Sequence, residues 1–340
     1  MTKIKQNWLR GLQGTLSLLA ILFFTNHAWA QPASLLLGIY PPDFVGDAAV
    51  LRNQVQAVDT WIGKQHSLVG LFYDLEAPNP AYDIPTALNR LQDNDYTAFI
   101  NLTSRHSAAD IADGAIDRAI EKTARAYGEW ARQAETPLVF MAPLPEMNGA
   151  WEIYGHTPED FKRAYAHIRE IFVAADIPEG SVRWVFAPNG WSTPEHGFER
   201  YYPGPQSVDV VSFSAYNWGY CENASWKQWQ SPETVFSPYV DRMKKMAPGK
   251  PIFIAQTAST SVNRGGRSAA QKNAWLAGAY QHLAESGVKA VMYFNIEKEC
   301  DWAVFKARQI AVEGYRQATN IPAVGYQSPE EIAEAIPLTE

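Results

Sequence analysis

The segment PEMNGAWEIYG, residues 145–155, brings a carboxylate, an amide and an indole close together. Glu146 can donate or accept a proton, Asn148 can bridge hydroxyl groups, and Trp151 offers a flat apolar face. The segment follows an apolar run that starts at Pro137 and is typical of a buried strand. Together, these residue types suit acid–base chemistry on a ligand that is rich in hydroxyl groups.

The segments that follow other apolar runs carry the same kinds of side chain. Indoles stack on sugar rings and amides bridge sugar hydroxyls, so the pattern predicts a carbohydrate-binding cleft. Any single tryptophan could instead belong to the hydrophobic core, but several at the ends of strands favour the cleft. The residues concerned are Trp151, Trp191, Trp218 and Trp302, with Asn148, Asn189, Asn217 and Asn295.

Gln256 stands at the carboxyl end of a further apolar run, KPIFIAQ, residues 250–256. In a parallel sheet the reacting side chains usually lie at this end of the strands. Glutamine is a poor acid, base or nucleophile, because its amide is neutral and only donates and accepts hydrogen bonds. An amide at this position is therefore unexpected in an enzyme.

Eight apolar runs recur along the chain, and each is followed by a helical or loop segment. Their hydrophobicity is continuous, as is typical of strands buried on both faces of a parallel sheet. This count predicts an α/β protein with a single (β/α)8 (TIM) barrel. A doubly wound open sheet usually has a glycine-rich turn after its first strand, where this chain has YPPDF. The runs begin at Leu35, Ser67, Tyr96, Pro137, Val182, Val208, Lys250 and Lys289.

Segments with a hydrophobic period near 3.6 separate the runs and predict helices. Thr157 and Pro158 are expected to begin the helix after the fourth strand. Gly287 is expected to end the helix after the seventh strand. The clearest stripe, within residues 115–134, consists of Ile116, Ile120, Ala124, Tyr127 and Ala131.

The first thirty residues have the pattern of a secretory signal peptide. Three basic residues precede the apolar stretch TLSLLAILFF, and an Ala-Trp-Ala cleavage site follows it. We expect cleavage after Ala30 and a secreted or periplasmic product without a membrane span. An uncleaved anchor is the alternative, which the shortness of the apolar stretch disfavours. The expected domains are a signal peptide at residues 1–30, a barrel at 31–320 and a tail at 321–340, the last a short acidic helix or a loose terminus.

Charge and cysteine content narrow the class of function. The net charge of −7 argues against nucleic acid as a partner, because no basic stripe is present to neutralise phosphates. Cys221 and Cys300 lack the spacing of a zinc site, and we expect neither a metal nor an organic cofactor. In an oxidising compartment the two cysteines can form a disulfide, with free buried thiols as the alternative. We expect a monomer.

Four segments resemble the conserved blocks of glycoside hydrolase family 26, a secreted (β/α)8 family that includes endo-β-mannanases. They are EMNGAWEIYG, VDVVSFSAYNWG, KPIFIAQ and YFNIEKECDW. The resemblance extends through almost the whole mature chain, with matching order and spacing. It implies a β-linked polysaccharide, of the β-mannan class, as the partner.

The resemblance also implies roles for individual residues. Glu146 corresponds to the general acid/base, and Tyr216 to an aromatic beside the nucleophile. The position of the nucleophilic glutamate is occupied by Gln256. The stretch before Glu146 reads APLP, residues 142–145, where family members typically have an arginine, a proline, an aromatic and a histidine. Of the family pattern, Asn148, Trp151, Tyr216 and Trp302 are kept beside the acid. Together with Trp191 and Trp218 from the strand ends, they are the substrate-binding candidates.

Three functions stay open on this basis. The protein is a hydrolase with a second carboxylate elsewhere, a binding protein with an impaired hydrolase site, or an envelope scaffold that reuses the fold. Retaining glycosidases need two carboxyl groups about 5–5.5 Å apart, and inverting ones about 6.5–9.5 Å. Structural ion pairs or solvated charges are the alternative interpretation of every candidate carboxylate. These candidates are Asp74 and Glu297, followed by Glu299 and Asp301.

Overall fold

The computed structural model describes residues 35–338, so the expected signal peptide lies outside the described residues. Eight parallel strands pair in sequence order, and the eighth pairs with the first from Leu36↔Ala290 to Tyr40↔Phe294. The sheet is therefore a closed barrel, and the predicted (β/α)8 fold is confirmed. The strands are β1 Leu35–Tyr40, β2 Leu68–Asp74, β3 Thr97–Thr103, β4 Val139–Pro143, β5 Val182–Phe186, β6 Val210–Ser214, β7 Ile252–Thr257 and β8 Ala290–Phe294.

Helices connect the strands and cover the outside of the barrel. They are α1 Ala48–Val50, α2 Ala57–Ile62, α3 Pro80–Gln92, α4 Ala108–Ala112, α5 Asp117–Ala131, α6 Pro158–Ala174, α7 Pro232–Met246, α8 Ala269–Glu285, α9 Glu313–Thr319 and α10 Pro329–Ala335. A π-helical turn, Leu51–Gln56, joins α1 to α2, and two 3-10 turns follow β5 at Pro194–His196 and Phe198–Tyr201. None of the described helices is both long and apolar enough to cross a membrane.

Short strands complete the described chain outside the barrel. Val262–Asn263 pairs with Gly266–Arg267 and Phe305–Lys306 with Ile310–Ala311, both antiparallel. Val324–Gly325 lies parallel to the start of β1.

The helix predictions hold at the level of individual residues. The predicted stripe on α5 is buried throughout, which explains how this helix packs on the sheet. Thr157 is the N-cap of α6 and Pro158 its first residue, although the Thr157 side chain makes no capping hydrogen bond. Gly287 follows the C-cap Ser286 of α8 with φ +78°, a backbone conformation that favours glycine.

The C-terminal tail packs on the barrel. Of the two alternatives for it, the structure shows the short acidic helix, α10, with a Ser328–Glu331 capping box. Ile332 and Ile336 are buried. Arg183, near the start of β5, donates to the Ile336 carbonyl at 2.6 Å, which ties the tail to the end of the barrel opposite its mouth.

Aromatic side chains fill the barrel and form the floor of its mouth. Phe140 on β4 packs on Phe253 of β7, across the barrel, with ring centroids 5.0 Å apart. Nearer the mouth, a Cβ on Gly70 would lie 2.2 Å from the Tyr40 ring, so glycine makes room for this tyrosine. The Tyr40 hydroxyl donates to the Ala255 carbonyl at 3.0 Å and accepts from Asn101 at 2.9 Å. These contacts give the cleft a rigid base.

Candidate active site

Glu146 lies three residues beyond β4, at the mouth of the barrel, and has φ +57°. A left-handed backbone is uncommon for a residue with a side chain and costs free energy. Two hydrogen bonds of 2.8 Å hold it, from the Glu146 N–H to the Ala187 carbonyl and from the Gly149 N–H to the Glu146 carbonyl. The loop is thereby fixed against the end of β5, and this sets the direction of the Glu146 side chain.

The Glu146 carboxyl accepts a hydrogen bond from the Trp151 indole N–H at 2.9 Å. Burial raises the pKa of Glu146 above its ordinary value. The side chains of Ser214, Trp151 and Asn189 lower the pKa of this carboxyl only in part, as does the positive charge of Lys298. A carboxyl group with a raised pKa stays protonated closer to neutrality, which is the state that a general acid needs.

A bulge in β7 turns Gln256 toward the same mouth. Ile254 pairs with Phe213 of β6, but Gln256 pairs with the very next residue, Ser214, so β7 contains one extra residue. The pairing with β8 shows the same shift. Because Phe253 faces the barrel interior, regular alternation would put Ala255 inside, and the extra residue exchanges it for Gln256.

The structure brings Tyr216 and Gln256 together. The Tyr216 hydroxyl donates to the Gln256 amide oxygen at 3.0 Å. The negative charge of Glu146 contributes, after burial, to raising the pKa of Tyr216, so these three side chains share one environment. The residues that the resemblance assigns to the reaction therefore surround a common space.

The two predicted tryptophans after β6 and β8 lie around Tyr216. The Trp302 ring centroid is 5.4 Å from that of Tyr216 and 5.0 Å from that of Trp218. Trp302 is buried, and its indole N–H donates to Glu299 at 3.3 Å. In this structure Trp302 thus packs behind Tyr216 and Trp218 and supports them.

Asn148 joins the loop after β4 to the loop after β5. It is buried, its amide nitrogen donates to the Asn189 carbonyl at 2.8 Å, and its amide oxygen accepts from the Asn189 N–H at 2.9 Å. Both polar atoms are occupied by backbone groups. Asn148 therefore positions Asn189 beside Glu146.

The carboxylates proposed as alternatives in the sequence analysis are mostly engaged elsewhere. Asp74 forms an ion pair with Arg105 at 2.8 Å and accepts from the Glu76 N–H at 2.9 Å. Glu297 is exposed. Glu299 pairs with Lys298 at 3.0 Å, and Asp301 pairs with Arg267 at 2.8 Å. Three of the four carboxylates thus take part in ion pairs.

Glu152 is a carboxylate near Glu146 that the sequence analysis did not single out. Burial raises the pKa of Glu152, and the negative charge of Glu146 raises it further, while contact with the Tyr154 hydroxyl lowers it. It lies in the same segment as Glu146, EMNGAWEIYG, and this proximity was the signal available in the sequence. The charge of Lys298 acts on both carboxyls.

Phe72 and Trp226 are also cleft residues that sequence reasoning missed. Phe72 is 42% exposed although it lies within β2, and its ring is 5.3 Å from that of Tyr40. Its run, SLVGLFYD, resembles a fully buried strand, so nothing local marks the exposed position. Trp226, in the loop after β6, contacts Trp191 with ring centroids 5.4 Å apart.

Cys221 and Cys300 form a disulfide in the structure, with their Cα atoms 5.9 Å apart. The bridge joins the loops after β6 and β8 at the rim of the cleft. The Asn223 amide donates to the Glu299 carbonyl at 2.8 Å and adds a second tie between the same loops.

Comparison with known proteins places the chain in a family. The model of glycosyl hydrolase family 26 matches residues 74–250, more than half of the chain. The chain belongs to glycoside hydrolase family 26. The matched part of this family 26 protein includes Glu146 and Tyr216 and ends before Gln256.

One curated relative is similar to the chain in sequence. Endoglucanase H of Acetivibrio thermocellus is 32% identical over 227 residues, which are 63% of this chain and 23% of that protein. The family 26 chain thus spans only about a quarter of the length of that relative.

The solved structures show that the fold is shared. The GH26 β-mannanase of Bacteroides ovatus is 13% identical, with a TM-score of 0.61, over 92% of this chain and 95% of its own. The catalytic domain of the GH26 endo-β-1,4-mannanase of Bacillus sp. JAMB-750 is 14% identical, with a TM-score of 0.64, over 88% of this chain and 90% of its own.

Proposed function

We propose that the protein acts on the O-glycosidic bonds of a β-linked polysaccharide of the β-mannan class, with Glu146 as general acid/base. The observation that carries the proposal is the half-buried Glu146 carboxyl, which accepts from the Trp151 indole and whose pKa is raised. Mannan follows from the family resemblance and from the names of the structural neighbours. The name of the curated relative, an endoglucanase, makes β-glucan the second substrate to test.

Glu146 would protonate the glycosidic oxygen as the bond to the anomeric carbon breaks. The amide of Gln256 cannot form the glycosyl ester of a retaining enzyme, so water must attack the opposite face of the sugar. That water loses a proton to a carboxylate, and the product has inverted configuration. Asp74, Glu299 and Asp301 are in ion pairs, and Glu297 is exposed. Glu152, whose pKa is raised by burial and by the charge of Glu146, is our candidate for this base.

A second function, glycan binding without cleavage, is favoured by the contact between Tyr216 and Gln256. The amide oxygen of Gln256 accepts from Tyr216, and its nitrogen is a donor for a sugar oxygen. A neutral amide also supplies no negative charge to stabilise an oxocarbenium-like transition state. Such a site would hold a glycan chain and leave it intact.

Reducing-sugar release from β-mannan, β-glucan and xylan tests these alternatives, with the mature chain beside Glu146→Ala, Glu152→Gln and Gln256→Glu. If the protein is a hydrolase, the unsubstituted chain releases reducing sugar and the Glu146→Ala variant does not. A silent hydrolase site gives release only with Gln256→Glu, while the unsubstituted chain retards the same glycan in affinity electrophoresis.

If none of the three glycans is cleaved or retarded, the proposal is rejected and a scaffold role remains. If cleavage occurs and Glu152→Gln retains full activity, Glu152 is not the base.

We also propose that the protein is secreted or periplasmic, on the strength of the signal-peptide pattern in residues 1–30. N-terminal sequencing of the exported protein tests this. A first residue of Gln31 is the expected result, and retention of the basic N-terminus would contradict it.

A further inference from the structure

Three tryptophans are exposed in the described part of the chain, and all three lie at the mouth of the barrel. Trp151, Trp191 and Trp226 are 52%, 45% and 37% exposed. They follow three consecutive strands, β4, β5 and β6, so they line one side of the rim. The other described tryptophans are buried or partly buried, so exposure of this residue type is confined to one region. Exposed aromatic side chains grouped beside a cleft favour a binding surface there.

Trp191 and Trp226 form a pair. Their ring centroids are 5.4 Å apart and their planes are inclined by 38°. The two rings are in contact, and each residue remains more than a third exposed. Together the two indoles form a continuous apolar surface that is larger than a single ring.

The backbone around both rings is fixed before any ligand arrives. The Trp191 N–H donates to the Asn189 side chain at 3.0 Å. The loop that carries Trp226 is closed at its base by the bond from the Gln228 N–H to the Gly219 carbonyl, 2.9 Å, and is held by the Cys221–Cys300 disulfide. An ordered platform loses little conformational entropy on binding.

Asn189 connects this pair to Glu146. Its side chain lies beside the Glu146 carboxyl and lowers the pKa of that group, while its amide oxygen holds the Trp191 backbone. The indole pair is therefore continuous with the candidate active site through one residue. A ligand chain that occupies the space at Glu146 can extend over the pair.

We propose that Trp191 and Trp226 form a distal sugar-binding platform, which stacks against a residue of the same β-linked glycan chain whose glycosidic bond lies at Glu146. The proposal rests on the proposed function. A pyranose ring in a β-linked chain has a flat C–H face that suits an indole, and its equatorial hydroxyls stay in water. The occupant is a sugar because the platform continues the cleft and is bordered by the side-chain amide of Asn189.

Isothermal titration with oligosaccharides of two lengths tests the platform. Every protein carries Glu146→Gln, so that no ligand is cut, and the ligands are the β-1,4-linked disaccharides and hexasaccharides of mannose and of glucose. Trp226→Ala and Trp191→Ala should each weaken hexasaccharide binding by about five- to tenfold. Disaccharide binding should be unchanged, because a short ligand occupies the space at Glu146 alone. Trp226→Phe should keep most of the affinity.

Val173→Ala is the control, since Val173 is 67% exposed in the last turn of α6, where the chain leads into the start of β5. Equal hexasaccharide affinity in Trp226→Ala and the control would overturn the platform and leave the proposed function intact. Equal losses for disaccharide and hexasaccharide would also overturn it, since they would place the indoles at the central site. If the parent protein binds neither ligand of either sugar, the proposed function fails together with the platform.

Discussion

The Tyr216 hydroxyl donates a hydrogen bond to the side-chain oxygen of Gln256 at 3.0 Å. Tyr216 comes from the end of β6 and Gln256 from the bulge of β7, so the contact depends on the register shift between these strands. It gives the amide a fixed orientation in a site where the family resemblance implies a carboxylate.

We predict that this contact couples the two residues energetically. In a double-mutant cycle of Tyr216→Phe and Gln256→Leu, the coupling free energy should be about 1 kcal/mol, because each single change leaves one polar partner unpaired. Urea unfolding of the four proteins measures it. Strictly additive losses would show that the bond contributes nothing to stability.

The raised pKa of Glu146 predicts a pH dependence of stability. Burial favours the protonated form in the folded state, so the stability from this group is present below the unfolded pKa of about 4.3 and is lost as the pH rises through the higher folded pKa. Glu146→Gln removes this titration. As the pH rises from about 4 to about 7, the unfolding free energy of Glu146→Gln should therefore increase relative to that of the unsubstituted protein.

Denaturant unfolding at several pH values checks this, with Glu159→Gln, a change at an exposed residue of α6, as the control. A difference between Glu146→Gln and the parent that is constant with pH would contradict the prediction.

His156 and His196 join the loop after β4 to the segment after β5, with ring centroids 3.6 Å apart and planes inclined by 2°. Burial lowers the pKa of His196, and the positive charges of His156 and Arg200 lower it further, against a smaller opposing effect of Glu195. Stability from a neutral His196 is present above the unfolded pKa of about 6.5 and is lost as the pH falls through the lower folded pKa.

We therefore expect acidification from about pH 7 to about pH 5 to lower the stability of the unsubstituted protein more than that of the His196→Gln variant. Thermal unfolding at each pH measures the difference. A parallel decline in both proteins would show that the pKa of His196 is not lowered in the folded state.

The Cys221–Cys300 disulfide encloses a sequence separation of 79 residues. The chain-entropy argument gives about 4.5 kcal/mol for a loop of this length, and native disulfides typically contribute about 2–5 kcal/mol. Replacing both cysteines by alanine should therefore lower the unfolding free energy by about 2–5 kcal/mol. Because the bridge also holds the loop of Trp226, the double variant should bind the hexasaccharide less tightly and the disaccharide equally well. Unfolding and titration of the same preparation separate the two effects, and an unchanged hexasaccharide affinity would show that the loop is ordered without the bridge.

Local pattern was enough to predict the barrel and one half of its site. Strands buried on both faces need continuous apolar runs, and helices on a barrel need one apolar stripe, so β1–β8 and α5 are visible in the sequence. The segment around Glu146 likewise shows its residue types directly, because carboxylate, amide and indole are neighbours in the chain.

Only the tertiary structure decided which way certain side chains point and which distant residues meet, because these depend on strand pairing and long-range contacts. The inward direction of Gln256 follows from an extra residue in β7, which is defined by its partners and not by its own period. Asp74 pairs with Arg105, and Trp226 packs on Trp191. In both contacts the two partners are distant in sequence. The chain determines which chemical groups are available, and the register and loop packing determine which of them meet, because those depend on contacts between segments that no local pattern encodes.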